Sequence, residues 1–234
     1  MKKLKKIKKM FICYLKYLYY SLYCNFKNIN NSDTWLISER GVDARDNAYH
    51  FYEYLKKNKK NIKVKYVIDL NSSDYKKIDQ NDIVQYGSRE HYILFKTAGK
   101  LISTHIMGYS PDMSLFWRLD KLNLIKLKGK KIMLQHGITY NNLEFFDNKT
   151  SKLDLFICGA MPEYKYMLNN YGYSENEIKY TGFARFDNLN NKSTKNQILV
   201  MPTFRKWLNY VNDFKKSDYY QKWNKLLNNK DSKL

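Results

Sequence analysis

Acidic residues are scarce in this chain, and its first 32 residues contain none. Lys and Arg total 42 against 22 Asp and Glu, a formal net charge of +20, and residues 1 to 32 contribute eight of the Lys. Such a balance attracts polyanions: nucleic acid, anionic lipid headgroups or phosphate-rich substrates. Cysteine is nearly absent as well. Cys13, Cys24 and Cys158 are scattered without CxxC spacing, which argues against a disulfide framework or a structural zinc site and fits a reducing compartment. The chain also lacks a GxxxxGKS/T phosphate loop, a GxGxxG dinucleotide turn, an HExxH pair and a D-x-D cradle for a divalent metal. No metal site and no cofactor are therefore expected. A phosphate-rich ligand would be met by Arg, Lys and backbone N–H groups at helix starts.

Long apolar runs are missing too. The opening "MKKLKKIKKMFICYLKYLYYSLYCNF" has the basic start of a signal sequence, but Lys16 interrupts its apolar part and no small-residue cleavage site follows. Met10 to Cys24 falls short of the ~20 apolar residues that a spanning helix needs. Residues 1–32 read instead as a basic, aromatic-rich interfacial helix. Its Lys residues would meet anionic headgroups while Phe11, Leu15, Leu18 and Leu22, spaced at three or four, dip into the membrane boundary. A solvated basic arm is the alternative.

What the chain does have is apolar material for a core, with 44% hydrophobic and 16% aromatic residues. From residue 34 onward short apolar runs recur: "TWLIS", "VKYVID", "DIVQY", "KLIST", "KIMLQ", "DLFICGA" and, later, "QILVMPT". Runs apolar on consecutive positions predict strands buried on both faces, as in a parallel sheet. Helix-like segments lie between them: "DNAYHFYEYLKKN" capped by Asp46, "SREHYILFKTAG" capped by Ser88 and stopped at Gly99, and "MPEYKYMLNNYG" ending at Gly172. The repeated βαβ pattern predicts one doubly wound, Rossmann-like α/β domain over 33–192. A polar linker follows, and 196–234 reads as the incomplete start of a second such domain.

In open parallel sheets ligands bind beyond the carboxyl ends of the strands. Applied strand by strand, that rule collects Glu39, Arg40, Gly41 and Arg45, then Asp69, then Gly87 and Ser88, then His105, then His136 and Gly137, and finally Arg205. Arg40 and Arg45, with the helix opening at Asp46, Asn47 and Ala48, form either a phosphate site or a salt-bridged loop with Glu39, Asp43 and Asp46. His105 and His136 are either turn residues or catalytic groups on a shared rim. His50 and His91 fall within predicted helices and are assigned no chemistry.

With these residues in view, the chain resembles the CDP-glycerol glycerophosphotransferase family, the enzymes that build teichoic acids and related capsular polymers. The blocks that carry the resemblance are "WLISERGVDARDNAYHFYEYL", "YVID", "VQYGSREHY", "LISTH", "KIMLQHGI", "DLFICGAMPEY", "YTGFARFDNL" and "ILVMPTFRKWL", in family order over residues 34 to 208. The resemblance implies a GT-B-like, two-domain fold. It also implies transfer of glycerol phosphate from CDP-glycerol to a lipid-linked or polymeric polyol-phosphate acceptor at the cytoplasmic face of the membrane, releasing CMP. The family's histidine-glycine motif falls on His136 and Gly137, and its second histidine and nucleotide loops have no counterpart after Arg205.

The chemistry of such a transfer suits those positions. An imidazole that takes the proton of an attacking glycerol hydroxyl accelerates the step by about 10² to 10⁴, which makes His136 the candidate general base. Arg205 would offset charge on the leaving CMP, with Arg40, Arg45, Asn47, His105 and Gly137 as further substrate-binding candidates. Two other readings compete. One is a non-catalytic or split remnant whose partner chain completes the second domain, and the other a related transferase using another CDP-polyol or a sugar nucleotide. Nucleic-acid binding has little support, since no recognition-helix, RNP-like or zinc-finger signature is present.

Overall fold

The protein was analysed as a computed structural model, which describes residues 2–139, 143–189 and 214–228. Its first compact unit spans Met1–Leu189. A 25-residue helix opens it, α1 (Lys2–Phe26), followed by β1 (Asn31–Ser38), α2 (Asn47–Asn58), β2 (Lys63–Ile68) and β3 (Ile83–Gln85). Next come α3 (Arg89–Thr97), β4 (Ala98–Ser103), α4 (Met113–Lys121) and β5 (Lys130–Met133). The short α5 (Asn148–Ser151), β6 (Leu155–Cys158), α6 (Met161–Asn170) and β7 (Ile178–Tyr180) complete it. The seven strands form one sheet in the order β3-β2-β1-β4-β5-β6-β7, and every pairing is parallel. This is the doubly wound α/β fold expected from the consecutive apolar runs.

Alternation within the strands separates the two faces. Leu36, Val67, Val84 and Leu101 point to the side packed by α1, α3 and α4. Ile37, Tyr66, Ile68 and Ile102 point to the side covered by α2. Register pairs Ser103 with Met133 and Met133 with Phe156, so the α6 cluster continues the first face. The strands inside the sheet thus bury apolar side chains in both directions, which is why the sequence shows runs rather than strict alternation, whereas the edge strand β7 buries Ile178 alone.

The caps behave as expected, with one exception. Asp46 accepts from Asn47 N–H and Ser88 from His91 N–H at the starts of α2 and α3. Gly172, at φ +69°, follows α6. Gly99, however, does not stop a helix: α3 ends at Thr97, and Gly99 lies inside β4. A side chain there would sit 1.9 Å from the Ser32 carbonyl oxygen, so the glycine allows β4 to lie against β1. Helix α4, capped by Asp112, and the three-residue β7 were not anticipated from the sequence.

Helix α1 is part of the core rather than a detached arm. Cys13 and Tyr17 are buried against α3 and α4, with the Tyr17 ring 5.4 Å from Phe116 and 6.0 Å from Phe95. Tyr20 packs on Tyr92 at 5.5 Å, and Cys24 is buried as well. The solvated-arm alternative therefore does not hold for residues 10–24. The opposite side of the same helix exposes Leu4, Ile7, Phe11, Leu15, Leu18, Leu22 and Phe26. Among the described residues no helix is long and apolar enough to cross a membrane.

The second unit spans Asn190–Leu234; its described part is a 3₁₀ turn, Phe214–Lys216, and α7 (Asp218–Leu227). The expected strand "QILVMPT" and Arg205 lie outside the described residues.

Candidate active site

Strand order reverses between β1 and β4, so the loops leaving these strands diverge and leave a crevice at their carboxyl ends. Glu39 follows β1 and is buried. Its carboxylate accepts from the N–H groups of Asp46 (2.6 Å), Arg45 (3.2 Å) and Tyr49 (3.3 Å). Burial pushes its carboxyl up, against the three N–H bonds that favour the charged form. Consequently the start of α2 is already occupied by an internal carboxylate, where a phosphate would otherwise bind.

The nearby arginines are similarly engaged. Arg40 pairs with Asp43, its Nε 2.9 Å from Asp43 Oδ2. Arg45 meets Asp74 through Nη2 at 2.8 Å and Nε at 2.9 Å. Asp74 is held below the usual carboxylate range: burial opposes ionisation, but bonds from Lys77, the Ala44 N–H and Arg45 outweigh it. Of the two sequence readings for Arg40 and Arg45, the salt-bridged loop is the geometry present. Asn47 is fully buried and structural in its contacts. It donates to the Gln135 carbonyl at 2.6 Å and accepts from Arg185 N–H at 3.2 Å, tying α2 to the loop after β5.

Two histidines meet at the centre of the rim. His105 follows β4 and His136 follows β5; their rings stack at 4.2 Å between centroids and 5° between planes. Thr104 holds both. Its hydroxyl lies 2.9 Å from His105 Nδ1, and its carbonyl oxygen 3.2 Å from His136 Nδ1. A carbonyl only accepts, so the latter bond requires a proton on His136 Nδ1, and in the neutral form of the ring that leaves Nε2 with its lone pair. Burial first, and then the neighbouring His136 and Arg40, depress His105 to about 4, so its ring is neutral at physiological pH. His136 itself is exposed.

The chain reaches this geometry through strained turns. Gln135 (φ +57°) and Met107 (φ +58°) are non-glycine residues in the left-handed region, one in each histidine-bearing loop. Gln135 accepts from His136 N–H at 2.9 Å and donates to Thr139 Oγ1 at 2.6 Å. Glu163, buried on α6, then accepts from Thr139 N–H and Gly159 N–H, each at 2.7 Å, and joins the loops after β5 and β6. Gly137 differs from these braces. Its φ is not left-handed, and among the described residues a side chain there would meet no atom within 4 Å.

Arg185 was not singled out from the sequence, although it lies in the quoted block "YTGFARFDNL". Its guanidinium pairs with Asp46 and donates to the His136 carbonyl at 2.8 Å, while its carbon lies 5.3 Å from the Phe183 ring centre. Beside His105 an apolar recess of about 330 Å³ opens, walled by Ile106, Met113, Trp117 and Phe145. A larger groove of about 500 Å³ runs along the α2 face of the sheet over Trp35, Ile132 and Leu155. Among the described residues no group of three His, Cys, Asp or Glu is placed to hold a metal ion.

Comparison with known proteins agrees with the resemblance seen in the sequence. The pattern of the CDP-Glycerol:Poly(glycerophosphate) glycerophosphotransferase family matches residues 18–230. The minor teichoic acid biosynthesis protein GgaB of Bacillus subtilis (strain 168) is 33% identical over 217 residues, covering 85% of this chain and 23% of GgaB. Among solved structures, the wall teichoic acid polymerase TagF superposes with a TM-score of 0.51 at 17% identity, over 80% of this chain and 47% of TagF. A TagF crystal soaked with CDPG gives 0.56 at 16% identity, over 82% and 48%. The chain thus spans about half the length of those polymerase structures and under a quarter of GgaB. The TagF match carries the fold alone, and the seven-stranded sheet, the matching pattern and the GgaB identity together place this chain in the CDP-glycerol:poly(glycerophosphate) glycerophosphotransferase family.

Proposed function

We propose that the protein takes part in transferring glycerol phosphate from CDP-glycerol to a hydroxyl of a lipid-linked or polymeric polyol-phosphate acceptor, with His136 as general base. The observation that carries this reading is the exposed His136 at the crevice, its Nδ1 turned to the Thr104 carbonyl and its Nε2 left free to accept a proton. In the proposed step the acceptor oxygen attacks the β-phosphorus and the bond to CMP breaks. The hydroxyl proton passes to His136 Nε2. Gly137, which no described residue crowds, leaves the backbone open for close approach of substrate. Arg205 would offset charge on the departing CMP, and Arg40, about half exposed beside its Asp43 partner, would face the acceptor.

CMP release from CDP-glycerol in the presence of a membrane acceptor tests the reading. His136→Ala is expected to lower the rate at least ~10²-fold with an unchanged melting temperature, and undiminished release by that variant would eliminate the base.

The acceptor is proposed to be met at the cytoplasmic face of the membrane, with α1 as the docking element. Its outer stripe from Leu4 to Phe26 is apolar, Lys5, Lys9 and Lys16 line one flank, and residues 1 to 32 hold no acid. That combination suits an anionic bilayer surface.

A further inference from the structure

The geometry points to His105 as a positioning residue for His136: stacked flat against it, His105 holds the His136 imidazole on the Thr104 carbonyl and so keeps Nε2 free at the rim. This rests on the reading of His136 as base, but it is a separate claim about how the ring is held. Three observations carry it. The rings lie 5° from parallel at 4.2 Å, a face-to-face contact that leaves His136 little freedom to rotate or tilt. Both Nδ1 atoms are tied to one buried residue, Thr104, through its hydroxyl on one side and its carbonyl on the other. Finally, His105 is itself anchored from behind, its N–H donating to Ser103 Oγ, which donates onward to the Glu39 carbonyl.

The need for such a clamp follows from the exposure of His136. A free imidazole in water prefers the opposite tautomer, with the proton on Nε2, and an exposed ring at the end of a 3.2 Å bond would exchange between the two. In the Nε2–H form the ring cannot take a proton from a hydroxyl in front of it. A neighbour that restricts the ring therefore selects the useful tautomer. It must also be uncharged, because a second cation 4.2 Å away would oppose protonation of His136 in the transition state. The groups facing the pair are Arg40, Asp43 and Asp46 around His105, and Arg185 at the His136 carbonyl. Burial of His105 keeps it neutral among them, and its π-face then supports the imidazolium as it forms.

Nitrogen-15 NMR of the imidazole rings in the full chain reports the tautomer directly and needs neither donor nor acceptor. In the wild type at pH 8 His136 is expected mainly as Nδ1–H. His105→Ala should shift it toward the Nε2–H form seen in free histidine, whereas His105→Phe, which restores a flat ring, should keep most of the Nδ1–H population. An unchanged tautomer in His105→Ala overturns the inference. So does a loss in His105→Phe as large as that in His105→Ala, since stacking would then not be what holds the ring. In the CMP-release measurement His105→Ala should lower kcat about tenfold at constant KM, and His105→Phe should recover most of it. Transfer unaffected by His136→Ala would defeat the base reading and leave the tautomer result standing.

Discussion

At the scale of single residues, the buried His91 serves a different end from the stacked pair at the rim. His91 accepts from Gly87 N–H through Nδ1 at 3.0 Å and lies 2.9 Å from the Tyr109 carbonyl through Nε2, so it is a satisfied core residue. Burial depresses it to about 4. An unfolded imidazole titrates near 6.5, so between about 6.5 and 4 the unfolded chain takes up a proton that the folded one refuses. Stability is full above that window and falls as pH drops through it, at about 1.4 kcal/mol per pH unit for His91. Urea unfolding at pH 7.5 and 5.0 measures this slope together with that of His105, which is also depressed to about 4, and the non-titrating His91→Gln should remove about half of it. Glu163 offers a second check. Gln in its place presents a donor to one of two N–H groups, so Glu163→Gln should cost about 1–3 kcal/mol in the same assay. His136 was legible in the sequence because it directly follows an apolar run. Arg185 was not, because its importance comes from contacts 139 and 49 positions away in the chain.

At the scale of elements, α1 combines two surfaces that substitutions can separate. Tyr17→Ala, on the inner side, should destabilise the protein by about 3–5 kcal/mol through the cavity it leaves against Phe95 and Phe116. Leu15→Glu with Leu18→Glu, on the outer side, should leave unfolding unchanged and reduce co-sedimentation with anionic phosphatidylglycerol vesicles. Equal sedimentation of this variant and the wild type would remove α1 as the docking element. The sequence showed the outer stripe readily, since it repeats every three or four residues. It concealed the inner face, because Tyr14, Tyr17 and Tyr20 could as well have been interfacial aromatics. Gly99 misled for a related reason: a glycine after a helical pattern suggests a stop, whereas the need for it arises from Ser32, 67 residues earlier in the chain. At three residues, β7 is too short to show any period.

At the scale of the whole molecule, the parallel sheet was readable because every central strand is apolar on consecutive positions, and the collection of candidate groups at the carboxyl ends of the strands followed from it. Strand order, and with it the crevice between β1 and β4, was not readable, because it depends on which strands pair across the sheet. The availability of the groups lining it was not legible, because Glu39 takes the helix start and Asp43 and Asp74 take the arginines that a phosphate would seek. A chain lacking residues 1–26 should lose the cooperative unfolding of the first unit, since Leu94, Phe95 and Phe116 would be uncovered. Calorimetry on that deletion tests whether α1 is integral. The same packing has a consequence for attachment. A basic arm that ordered only at the bilayer would spend part of its binding energy on becoming a helix, whereas α1 arrives already formed and bolted to the sheet. If α1 docks on lipid as proposed, that contact would fix the crevice at one height and one tilt above the surface, and the search for an acceptor would become a walk in a plane.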